Sequence, residues 1–98
     1  MYTIHDCTDE NVYDVNLQGR YVILKEEFFN ENYRDEKYQL VKCVGGFGCD
    51  PTKMGNAIFV EELCDNAESY RIERYNHDIL GFAKDSVVQK HMEKYCTN

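Results

Sequence analysis

Tyr38-Gln39-Leu40-Val41-Lys42-Cys43-Val44-Gly45-Gly46 and Ala57-Ile58-Phe59-Val60-Glu61-Glu62-Leu63 flank a loop that is dense in turn residues. In the first stretch Tyr38, Leu40, Lys42 and Val44 share one face of an extended chain, and Gln39, Val41 and Cys43 share the other. The second has the same character. Between them Gly46-Phe47-Gly48-Cys49-Asp50-Pro51-Thr52-Lys53-Met54-Gly55 cannot continue a strand, so the two stretches are predicted to pair as a wide-looped antiparallel hairpin.

Tyr21-Val22-Ile23-Leu24 is rich in β-branched and aromatic residues and reads as another strand. Helix-compatible residues begin at Lys25, which predicts a short helix or turn through Tyr33. Asp65-Asn66-Ala67 turns the chain into a strand from Ser69 to Tyr75, and residues 1 to 19 have room for one short strand. At the end of the chain Ser86 and Gln89 have the spacing of a capping box, with Val87, Val88, His91, Met92 and Tyr95 on one helical face. The expectation is one α+β domain over residues 1–98: a mainly antiparallel sheet of about four strands, a short helix, and a C-terminal helix packed on one face. No repeat, linker or low-complexity segment divides it.

Charge narrows the function. Eighteen Asp and Glu against 11 Lys and Arg leave a net charge of −7, and the basic residues are scattered among acids. Phosphate backbones repel such a surface, so direct DNA or RNA binding is not expected, whereas a basic protein partner is. No apolar run approaches a membrane span, and Met1 to Glu10 is polar where a signal peptide would be basic and then apolar. A cytoplasmic protein is expected.

Five cysteines are many for 98 residues, and in a reducing compartment an odd number fits thiols or metal ligands better than a disulfide framework. Two four-ligand zinc arrangements can be built. One joins His5 and Cys7 to Cys43 and Cys49; the other joins His5 and Cys7 to His91 and Cys96. The alternative reading makes each cysteine a small buried hydrophobe and His91 a satisfied core histidine. Cys49 in its glycine-rich loop, with His77 beside Asp78, is too scattered a set for a cysteine hydrolase, so no enzyme is expected. The glycine loop also lacks the Gly-Lys-Ser/Thr ending of a phosphate cradle; its glycines serve tight backbone geometry.

Acids cluster at Glu26, Glu27 and Glu31 and again at Glu61, Glu62 and Glu68. Each cluster is either a solvated face or a row of carboxylates offered to a basic groove, with Tyr33, Tyr38 and Tyr70 as candidate anchors.

The stretch from Tyr21 to about Phe82 resembles a family of small proteins carried by mobile elements of Gram-positive bacteria. The resemblance rests on Val22-Ile23-Leu24-Lys25, Glu27-Phe28-Phe29, Tyr33-Arg34, Tyr38-Gln39-Leu40, Asp78-Ile79-Leu80-Gly81 and, most specifically, Gly45-Gly46-Phe47-Gly48-Cys49-Asp50-Pro51, the string GGFGCDP. With its size and acidity, the chain is also similar to type II-A anti-CRISPR proteins. That resemblance implies an inhibitor in a bacterial host cell that binds guide-loaded Cas9 and hinders its loading onto target DNA. The structural zinc ion expected to stabilise the fold rests on the ligand spacing of His5, Cys7, Cys43 and Cys49 and not on the resemblance.

Overall fold

The computed structural model describes residues 1–25, 35–63, 68–73 and 78–96. Five strands, β1 (Tyr21–Leu24), β2 (Leu40–Gly45), β3 (Ala57–Glu62), β4 (Ser69–Glu73) and β5 (Ile79–Phe82), form one sheet in the order β4-β3-β2-β1-β5, and each neighbouring pair is antiparallel. Two helices accompany it, α1 (Glu36–Gln39) and α2 (Asp85–Tyr95). The fold is α+β, as the sequence predicts, with one strand more than expected.

Burial explains which strands alternate and which do not. Near the middle of the sheet, Val22, Ile23 and Leu24 of β1 and Leu40 and Val41 of β2 are all fully buried, because both faces of the sheet are covered there. One face carries Val22, Leu24, Val41, Cys43, Ile58, Val60, Ile72, Ile79 and Phe82, packed under Val12, Leu17 and Cys49. The opposite face carries Ile23 and Leu40 beneath Cys7, Leu63, Ala83 and the α2 residues Val87, Val88 and Met92. β3, by contrast, keeps a strict alternation with Ile58 and Val60 buried and Phe59 and Glu61 exposed.

β5 escapes prediction because Gly81 interrupts its short apolar run and a register shift against β1 makes Leu80 an extra residue. Three further local expectations are corrected. Residues 1 to 19 hold no strand; they form a 3-10 turn at Ile4–Asp6 and a single bridge from Cys7 to Ala83. Tyr38 and Gln39 belong to the helical turn of α1, whose start Asp35 caps by accepting from the Lys37 N–H, and not to the following strand. Ser86 is inside α2, which begins at Asp85 after Lys84 without a side-chain cap; the capping box of the described structure joins Thr3 and Asp6. The expected helix or turn through Tyr33 and the turn at Asp65-Asn66-Ala67 lie outside the described residues.

Candidate functional site

The sheet itself separates the proposed zinc ligands. Cys7 packs on the α2 side, while Cys43 and Cys49 lie in the core of the opposite side, so β-strand backbone stands between them. All three are buried thiols, and His5 is exposed on the N-terminal 3-10 turn. The Cys49 Sγ faces the Gly45 carbonyl oxygen at 3.1 Å. Burial, with Asp6 adding to it, pushes the Cys7 thiol up to about 11.

The second arrangement fails for a different reason. Cys96 is disulfide-bonded, its partner outside the described residues, so it is neither a thiol nor a ligand. His91 is buried and engages the Tyr2 hydroxyl through Nδ1 at 2.6 Å. Among the described residues no three His, Cys, Asp or Glu side chains gather as a metal site.

The acidic clusters fare unevenly. Glu26, Glu27, Glu31 and Tyr33 lie outside the described residues. Glu61 and Glu62 are adjacent on β3 and therefore point to opposite faces: Glu61 sits opposite Lys42 and Ser69, and Glu62 opposite Val41. Glu68 lies across from Glu62, whose N–H donates to the Glu68 carbonyl at 3.0 Å. Tyr70 packs half-buried on the core; burial, then the nearby Glu62 carboxylate, pushes its hydroxyl above the ordinary phenol range. A continuous row of Glu61, Glu62 and Glu68 is not what this strand presents.

What stands out is the end of the β2–β3 hairpin. There Val44 is 37% exposed, Phe59 46%, Phe47 67% and Met54 99%. The register shift between Cys43 and Gly45 makes Val44 an extra residue opposite Phe59. The glycine string builds the platform. Gly46 has a φ of +102°, and a Cβ there would stand 2.4 Å from the Ala57 carbonyl oxygen; one on Gly48 would stand 2.4 Å from that of Asn56. The loop is thereby pressed against the start of β3. Gly55 in turn backs the Phe47 side chain, and the Lys53 ammonium lies 5.8 Å from the Phe47 ring centroid. Asp50 fixes the next turn by accepting from the Thr52 N–H and hydroxyl.

These residues were not singled out from sequence, although a signal exists: Phe59 occupies an outward position of an alternating strand, and Met54 lies in a turn. A cleft of about 530 Å³ beside the start of α2 includes Glu10, Arg20, Lys84 and Asp85. Two of its charged side chains pair with each other and a third is held by the main chain. Arg20 pairs with Glu10 at 2.6 Å and lies over the Phe82 ring, and Lys84 Nζ donates to the His5 carbonyl.

Compared with family models, with curated proteins and with solved structures, the chain matches none of them.

Proposed function

We propose that the chain acts by binding another protein through the end of its β2–β3 hairpin, and that it does so without catalysing a reaction. The observation that carries this reading is the exposure of Val44, Phe47, Met54 and Phe59 together at one end of the sheet, on a loop whose glycines hold it close to β3. Large apolar and aromatic side chains held at fixed positions lose little conformational freedom on binding, which is why such residues anchor interfaces. A small domain gains nothing in its own stability from leaving them in water. With a net charge of −7, the chain favours a basic partner surface around those anchors.

The resemblance to anti-CRISPR proteins makes guide-loaded Cas9, which carries a basic nucleic-acid channel, the specific partner in this proposal. Occupying that channel would hinder loading onto target DNA. Zinc has no part in this reading, since the described thiols are divided between the two faces of the sheet.

The test adds purified protein to Cas9 and guide RNA before target DNA and measures DNA binding and cleavage. Inhibition that is lost in Phe47→Ser/Phe59→Ser, with an unchanged circular dichroism spectrum, is the expected result. Normal cleavage at large molar excess across several Cas9 orthologues overturns the Cas9 assignment. Inhibition that survives both substitutions overturns the hairpin surface.

A further inference from the structure

His91 is 1% exposed, and its Nε2 makes no hydrogen bond of ordinary geometry, although the Lys37 main chain faces the ring. Buried polar atoms are normally satisfied by well-formed hydrogen bonds, so an imidazole nitrogen held this loosely points to a state in which its bonding changes. Its other nitrogen, Nδ1, meets the Tyr2 hydroxyl at 2.6 Å, across 89 positions of sequence.

Tyr2 is in turn gripped by its main chain. Its N–H donates to Gln39 Oε1 at 2.6 Å, and its carbonyl accepts from Gln39 Nε2 at 3.0 Å. The same amide nitrogen donates to the Leu24 carbonyl, so fully buried Gln39 ties the N-terminal segment to β1. The Tyr2 side chain then connects that segment to α2.

We infer that the Tyr2–His91 hydrogen bond is an acid-operated latch, in which protonation of His91 releases the start of the chain from α2 while the sheet stays folded. Burial, more than the charges around the ring, makes the protonated state a poor fit. From α1 it is faced by Glu36 and the Lys37 main chain, from the N-terminal segment by the Met1 amine and Tyr2, and from α2 by Lys94 and Tyr95. Glu36 is the one carboxylate of this set, and it is already shared: the Met1 amine lies at 3.4 Å, Lys94 Nζ at 3.6 Å and the Tyr95 hydroxyl at 3.2 Å. An imidazolium would be a third cation on that carboxylate, with its own ring buried.

Protonation also inverts the bond. Neutral His91 can accept the Tyr2 proton at Nδ1, whereas the imidazolium only donates, so the Tyr2 hydroxyl proton must find another acceptor. In keeping with this, burial holds the ring below its ordinary range; Glu36 and the Lys37 main chain oppose the shift, and Lys94 adds to it.

The test is amide hydrogen exchange followed by NMR at about pH 7.5 and about pH 5.5, corrected for the intrinsic rate at each pH, across the window in which an imidazole titrates. The Tyr2, Asp6 and Cys7 amides should lose protection roughly tenfold in acid while those of Val22, Val41 and Val60 keep theirs, since local opening is separable from global unfolding. Tyr2→Phe should leave the same N-terminal amides weakly protected at both pH values, and His91→Gln should remove the pH dependence. Unchanged N-terminal protection, an equal loss across the sheet, or the parent acid response in Tyr2→Phe would each overturn the latch.

Discussion

Gly81 of β5 and Cys7 of the N-terminal segment are so close that a Cβ on Gly81 would lie 2.9 Å from the Cys7 Cβ and 3.0 Å from its sulfur. The glycine is thus what lets the first residues of the chain pack on the sheet and form the Cys7–Ala83 bridge. Gly81→Ala should cost about 1–3 kcal/mol through overpacking, read as a lower urea midpoint at unchanged slope. Cys7→Ala should relieve part of that loss in the double variant, because it removes the sulfur but keeps the nearer Cβ. Additive effects of the two substitutions would show that the contact does not limit packing here.

Gln39 is the most committed polar residue of the core, with its amide satisfied by the Tyr2 main chain and the Leu24 carbonyl. Gln39→Leu keeps the volume and strands all three backbone partners. Each stranded buried group costs about 1–3 kcal/mol, so the variant should be among the least stable single substitutions, measurable by thermal melting. A melting temperature equal to that of the parent would mean that water replaces the amide.

Cys96 being in a disulfide, reduction should loosen the C-terminal end of α2, where the Cys96 sulfur also faces the Leu63 carbonyl at 3.6 Å. Cys96→Ser should cost about 2–4 kcal/mol, and its stability should not respond to a dithiol reductant. The parent protein treated with reductant should fall to the level of the variant. Equal parent stability with and without reductant would show that this bond adds nothing to the fold.

The Cys7 thiol provides a pH dependence with a definite sign. Its folded value lies at about 11, above its ordinary 9.0, because burial and then Asp6 disfavour the thiolate. Below 9.0 neither state ionises and the full stability is present; as pH rises from 9.0 towards 11 the unfolded chain loses its proton first, and stability falls. Cys7→Ala should flatten that part of the alkaline stability curve relative to the parent. Parallel curves for the two proteins would remove Cys7 as the cause.

Much of this fold is local chemistry, and so it is legible in the chain. Tyr21-Val22-Ile23-Leu24 and Ala57 to Glu62 are strands because β-branched and aromatic residues suit a pleated, half-buried surface, and the glycines between Gly45 and Gly55 can only turn. The spacing of Val87, Val88, His91 and Met92 likewise announces the buried face of α2. Tertiary structure decided the rest, because burial depends on what lies across the sheet and not on neighbours in sequence. It made a strand of Ile79–Phe82, whose glycine looks like a break until Cys7 is seen to need the space. It also set Cys7 on one face and Cys43 and Cys49 on the other, dissolving a ligand set that spacing alone allows. The pleat sent neighbouring Glu61 and Glu62 to opposite faces, and packing left Phe59 and Val44 exposed at the end of the hairpin. A period of two is written in the residues, but which of the two faces meets water is decided only when the layers pack.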